Sequence, residues 1–190
     1  MVGLGNPGPG YARNRHNAGQ MALDELARRT SATFKSHKTN SVVSEVRLSG
    51  QGPRLILAKP NTYMNLSGGP VGALIKFYKV EPARLIVLHD ELDIPFDSIK
   101  LKIGGGHGGN NGVRDIIAAA GTGDFIRVRI GIGRPPGRQQ AADYVLKDFS
   151  SDEKKLLPNL ISDAADAVEQ IAREGLTAAQ LRFHTATPGC

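Results

Sequence analysis

Apolar and polar positions recur along this chain with two periods, and the places where the period changes mark its elements. Met21, Ala22, Leu26 and Ala27 follow helical spacing, which predicts a helix over residues 17–29. Residues 30–41 are polar and show no period. From 42 to 48 the pattern alternates, with Val42, Ser44, Val46 and Leu48 set against Val43, Glu45 and Arg47, as in a half-buried strand. A turn at 49–52 and a second extended run at 54–59 make these two a hairpin. The next loop, 60–70, closes into a helix whose face carries Val71, Leu74, Ile75 and Tyr78.

The run 85–88 is apolar without a break, the habit of a strand buried on both faces in a parallel sheet. It leads into His89-Asp90-Glu91-Leu92-Asp93. A strand at 98–103 puts Lys100 and Lys102 on one face, and a strand at 126–130 does the same for Arg127 and Arg129. Between them lie the glycine-rich loop 104–112 and a helix over 113–120. A Gly/Pro/Arg loop occupies 131–138. Helices follow at 141–146, at 152–173 (with Pro158 in doubtful company, since proline lacks a helical N–H) and at 177–183. Strands and helices interleave, with one hairpin inserted. The expected fold is a single three-layer α/β/α domain over 1–184 with a twisted, mixed and mostly parallel sheet. Residues 185–190 are expected to be a disordered tail.

The first fifteen residues depart from either period. Val2 to Leu4 reads as a very short strand, and a Gly/Pro loop then carries Asn6, Tyr11, His16 and Asn17 to the first helix. Pro7 and Pro9 restrict φ there, so the loop is built to hold polar groups rather than merely to connect. Gly3-x-Gly5-x-x-Gly8 matches the dinucleotide fingerprint, but no helix opens at the third glycine. Asp24 and Glu25 also fall inside a helical pattern instead of ending a second strand. Nicotinamide and flavin binding are therefore set aside, and no cofactor is expected. The polar clusters around Asn6, Asn65, Asp90 and 104–111 mostly follow strands. In open α/β sheets the carboxyl ends of strands are where ligands bind, so these loops are expected to share one cleft.

Composition narrows the partner. The 190 residues hold 24 Lys+Arg against 18 Asp+Glu, a net charge of +6, which favours a polyanion such as nucleic acid. Trp is absent and aromatic content is 5%, which argues against a stacking platform for single strands. The one cysteine is Cys190, so internal disulfides and thiolate metal sites are excluded. No run approaches a membrane span and no secretory leader is visible, so a cytoplasmic location is expected.

His16 is the candidate base, since a neutral imidazole can accept a proton near pH 7. It needs a group that favours imidazolium once formed, and Asp90 is the carboxylate proposed for it. No Gly-x-Ser-x-Gly elbow is present, and Ser67 reads as a helix cap, so activated water is preferred to a covalent intermediate. His89, Asp90, Glu91 and Asp93 with His16 offer metal-ligand chemistry. Successive strand residues point to opposite sides, however, and cannot all converge. Asn6, Asn65 and Asn111 present uncharged amides that can read a peptide or donate to an oxyanion; Asn111 also reads as a cap for the helix that follows. Lys102 and Arg129, on neighbouring strand ends, form a two-pronged grip for a phosphate, which Arg134 and Arg138 extend.

Together these residues form a set that resembles a known family. Residues 2–8, Tyr11, Arg15-His16-Asn17-Ala18-Gly19, Lys59-Pro60, 63–68, 89–93, 104–112 and 127–133 are similar, in order, to bacterial peptidyl-tRNA hydrolases. The resemblance covers Val2 to about residue 183. It implies hydrolysis, without a metal, of the ester between a peptide and the 3′ end of tRNA, by a protein that is typically monomeric. It implies that His16 is the proton acceptor and that Asp90 stabilises its basic form. Asn6 would distinguish N-blocked from free aminoacyl groups. Tyr11, Tyr63, Asn65 and Asn111 would touch substrate, and Lys102 and Arg129 would clamp the tRNA 5′ phosphate. Two departures stand out. The family usually has histidine at Asn110, so a proton-linked role is lost there while a hydrogen-bonding one can survive. Family members also usually begin several residues earlier, so the first strand is expected to be short. A non-catalytic RNA-binding protein of the same fold is the competing reading.

Overall fold

A computed structural model describes residues 1–185 of the chain. Seven strands make one sheet: β1 (Val2–Gly3), β2 (Lys35–His37), β3 (Ser41–Arg47), β4 (Arg54–Pro60), β5 (Ile86–Glu91), β6 (Ile99–Ile103) and β7 (Ile126–Gly131). Their order is β2-β3-β4-β1-β5-β7-β6. The four central strands β4, β1, β5 and β7 are mutually parallel. Antiparallel pairs finish both edges, β2 and β3 on one side and β6 on the other. The sheet is mixed, and every strand except β3 and β6 runs the same way. The hairpin pairs over its whole length, from Ser41 opposite Pro60 to Arg47 opposite Arg54.

Helices cover both faces. They are α1 (Ala18–Arg29), α2 (Gly68–Tyr78), α3 (Asn111–Ala120), α4 (Ala141–Val145), α5 (Ser151–Glu174) and α6 (Leu176–Thr185). Strand β5 shows how the layers form. Ile86 and Leu88 join the core beneath α1 and α5, while Val87 faces the core with α2 and α3. Each such fully buried aliphatic side chain contributes about 2 kcal/mol by leaving water. Alternation on a strand buried from both sides is what an unbroken apolar run encodes.

Several expectations need correction. Residues 30–41 are not wholly irregular, because Lys35–His37 pairs with Ser41–Val43 as an edge strand. Three residues without an apolar member leave no period to read. Strand β5 continues through Glu91, so His89 and Asp90 lie within it rather than beyond it. Helix α5 passes through Pro158, which sits on its exposed side where water can serve the freed carbonyl. Its start is fixed instead by a capping box, in which Ser150 and Glu153 exchange side-chain-to-backbone hydrogen bonds. Of the expected tail, Thr185 closes α6 and residues 186–190 lie outside the described residues.

Strand β1 is central yet only two residues long. The Met1 ammonium donates to the Ile56 carbonyl at 2.7 Å, and burial pulls its pKa down to about 5. At the other end of β1 the packing is unusually close. A Cβ on Gly19 would run into the Leu88 carbonyl oxygen. Only glycine lets α1 lie this near to β5, and the turn just before α1 is thereby held over the end of that strand.

Candidate active site

The turn in question is a single 3-10 turn, Arg15–Asn17. It carries His16 onto Asp90 of β5. His16 Nδ1 lies 3.0 and 2.9 Å from the two carboxylate oxygens. The side chains are 14% and 3% exposed, so the pair is partly dried and its electrostatics are strengthened. Burial is the largest influence on His16 and disfavours its charge. The charge of Asp90 and the hydrogen bond to it act the other way, and together they raise the imidazole pKa above 6.5. Nδ1 is occupied by Asp90, so Nε2 is the ring nitrogen left to meet a substrate or water.

Its neighbours fix the turn. The Arg15 guanidinium donates to the carbonyls of Tyr144, Lys147 and Asp148 and pairs with Glu153 at 2.6 Å. It also lies over the Tyr144 ring, 4.1 Å from the centroid. Asn14 Nδ2 donates to Asp148 at 2.9 Å. The turn is thus riveted to the α4–α5 junction, far along the chain. Sequence reasoning missed this anchorage, because a pairing across more than 130 residues leaves no local pattern.

Asn6 is equally fixed. Its backbone N–H donates to Asn17 Oδ1 and its carbonyl accepts from Asn17 Nδ2, both at 2.9 Å. Its side-chain oxygen accepts from the Met64 N–H at 2.7 Å. That assignment directs the Asn6 NH2, which has no partner among the described residues, away from the backbone. Met64 begins the 3-10 turn Met64–Leu66, so Asn6 joins the first loop to the segment carrying Tyr63 and Asn65. Tyr11 and Tyr63 meet edge to face, with centroids 6.1 Å apart. Asn65 and Asn111 are exposed and unpaired among the described residues, on neighbouring segments. The Cβ position of Gly112 is walled by Met64 and Leu4, which brings the start of α3 against that turn.

Two cap assignments change. Ser67 does not cap α2; its hydroxyl donates back to the Met64 carbonyl at 2.7 Å, and Asp115 accepts from the Gly68 N–H instead. Asn111 does not cap α3. Asn110 does, accepting from the Val113 N–H at 3.0 Å.

Lys102 and Arg129 stand apart from the His16–Asp90 pair. Both lie on the α2–α3 face of the sheet, with Lys100 and Arg127 beside them, because Lys102 is opposite Arg127 and Lys100 opposite Arg129. Arg129 is mid-strand, not at a strand end, and is opposite His89. Burial, then Arg129 and Arg127, push the Lys102 pKa down, which is how crowded cations behave. Arg127 is fully buried. It donates to the Gly105, Gly106 and Gly123 carbonyls and so pins the glycine-rich loop. Arg134 pairs with Asp93 on the surface.

The acidic cluster does not converge. His89 Nδ1 meets the Asp90 carbonyl at 2.7 Å, and burial drives its pKa down to about 4. Glu91 accepts from the Asp93 N–H. Among the described residues no three His, Cys, Asp or Glu side chains gather as metal ligands.

What fold and geometry define is an α/β protein with a buried imidazole–carboxylate pair at the carboxyl edge of a parallel strand, walled by amides and tyrosines. The sequence model of the peptidyl-tRNA hydrolase family matches residues 1–189. Peptidyl-tRNA hydrolase of Leifsonia xyli is 69% identical over 186 residues, 98% of this chain and 96% of that one. That of Arthrobacter sp. is 62% identical over the same shares. A crystal structure of peptidyl-tRNA hydrolase from Acinetobacter baumannii superposes with a TM-score of 0.91 at 36% identity, covering 99% of this chain and 95% of that one. The chain belongs to the peptidyl-tRNA hydrolase family.

Proposed function

We propose that this chain hydrolyses the ester between peptide and tRNA with His16 as the base. The observation that carries this reading is the hydrogen bond from His16 Nδ1 to Asp90 in a chain of this family. Nε2 takes a proton from water, and the hydroxide formed attacks the ester carbonyl. Charge on the tetrahedral intermediate is met by amide donors, for which Asn65 and Asn111 stand exposed and unpaired. Collapse breaks the bond to the tRNA ribose oxygen. That oxygen takes the proton back from His16, and the peptide leaves as its acid. Asp90 favours the imidazolium through which the proton passes.

Asn6 supports selectivity. Its oxygen is committed to Met64, so its NH2 can donate to the carbonyl of a blocked amine. A free α-ammonium finds no acceptor in that donor and would lose its hydration uncompensated. Tyr11 and Tyr63 offer ring surface for the ends of the substrate. The basic face with Lys102 and Arg129 suits the 5′ phosphate of the acceptor end, and a monomer acting in the cytoplasm fits the reading. No helix among the described residues is long and apolar enough to cross a membrane. The alternative of a non-catalytic RNA-binding protein gains nothing from relatives that are named as hydrolases.

The test is release of the acyl group from N-acetyl-aminoacyl-tRNA, with the free-amine analogue as control. The blocked substrate should be turned over and the control spared; equal treatment of both, or inertness towards both, rejects the reading. Lys102→Ala should weaken tRNA binding and lower the slope of log affinity against log salt by about one, because each neutralised phosphate releases counterion. An unchanged slope would remove Lys102 from the clamp.

A further inference from the structure

Asp90 has a second partner besides His16. Asn110 Nδ2 donates to its Oδ1 at 3.2 Å, while Asn110 Oδ1 accepts from the Val113 N–H at 3.0 Å. One amide side chain therefore does two things. Its oxygen caps α3, and its NH2 touches the carboxylate that orients the candidate base. Both ends are committed, and they must be committed this way round, because only the oxygen can accept from a backbone N–H and only the NH2 can donate to a carboxylate.

We infer that Asn110 is a positioning residue of the hydrolytic site, an uncharged third member that fixes the Asp90 carboxylate and keeps a second negative charge away from His16. This rests on the proposed roles of His16 and Asp90. Asp90 is 4% exposed, so its oxygens have little access to solvent and take their orientation from these two side chains. The titratable and charged groups around it come from different elements. They are His16 from the 3-10 turn, and His89 and Glu91 from β5 itself, with His89 under the influence of Arg127 and Arg129 of β7. His89 is held neutral by burial near pH 7. Within the dyad only His16 and Asp90 exchange charge with the reaction, and Asn110 contributes a hydrogen bond that is independent of pH. The tie also links the dyad to α3. Asn111, the next residue, begins that helix, so the cap sets where the following amide stands relative to Asp90.

The discriminating variant is Asn110→Asp. Aspartate is as good a cap as asparagine and suits a helix N-terminus, so a purely structural role survives the change. What it loses is the NH2, and in its place a carboxylate faces Asp90. Two carboxylates at one site favour a proton on the group between them, so His16 should hold its proton to higher pH. The acid limb of kcat should move up by about one pH unit or more, with kcat at pH 7 falling at least about tenfold. KM should change far less. The His16 imidazole, followed by NMR without substrate, should titrate later by the same interval, and thermal stability at pH 7 should stay near that of the parent. Asn110→Ser keeps a cap but cannot reach Asp90; it should lower kcat without moving the limb upward. If Asn110→Asp shows the parent kcat profile and the parent His16 titration, the inference is overturned and Asn110 is a cap alone. If the parent protein fails to cleave N-acetyl-aminoacyl-tRNA, or keeps its rate without His16, the underlying reading has failed instead, and the NMR titration still decides the Asn110 contact.

Discussion

His16→Ala should lose at least about 100-fold in turnover of N-acetyl-aminoacyl-tRNA while binding tRNA as before, since a positioned base is commonly worth ~10²–10⁴. Both parts of the outcome matter. The imidazole presents Nε2 to the cleft and makes its only protein hydrogen bond to Asp90, so its removal takes away proton transfer and little packing. The phosphate-facing cations lie on another part of the sheet and are untouched. The parent profile carries its own signature. His16 must be neutral to act, and its pKa is raised above 6.5, so the rate should fall as pH drops through a limb on the basic side of that value. In the alanine variant this limb should vanish from the residual rate. Near-parent turnover in His16→Ala would remove the mechanism.

Asp90→Asn is the second large effect, and its sign in pH is opposite to that of Asn110→Asp. The substitution keeps shape but removes the charge that offsets burial around His16. Burial alone then governs the imidazole and lowers its pKa, so the acid limb should shift to lower pH. Turnover should nevertheless drop by roughly 100-fold or more, because imidazolium forming in the transition state has lost its counter-charge. The amide also has a hydrogen to offer Nδ1, which can leave Nε2 as the protonated nitrogen and useless as an acceptor. The decisive measurement is the profile of kcat in the variant; one that coincides with the parent rejects the dyad.

How much of this could be read from the chain follows from where each signal resides. Strands β3 to β7 and helices α1, α2, α3 and α5 announce themselves through period, because each buries one face or both. Edge strand β2 does not, since Lys35, Ser36 and His37 are not core residues. Pro158 misleads only as long as its exposure is unknown. At the site, the chemistry of His16 and Asp90 was legible from residue type and from their positions after strand-like runs, and the contact between them is observed. The arrangement around them was not. Asn110 and Asn111 are both asparagine at a helix entry, and sequence alone leaves either as the cap. Only the backbone path decides that Asn110 turns back to Asp90 while Asn111 faces outward. Lys102 and Arg129 share a face as their strand parity requires, but the antiparallel register places Lys102 opposite Arg127. Register between strands is invisible until the pairing is known.

Any protein under synthesis is a peptide esterified to tRNA, and this one is no exception while ribosomes build it. The turn bearing His16 emerges among the first residues, yet its rivets are the Tyr144, Lys147 and Asp148 carbonyls and the Glu153 carboxylate. With 190 residues in all, about four-fifths of the polypeptide must be out before the last of these anchors can seat that turn.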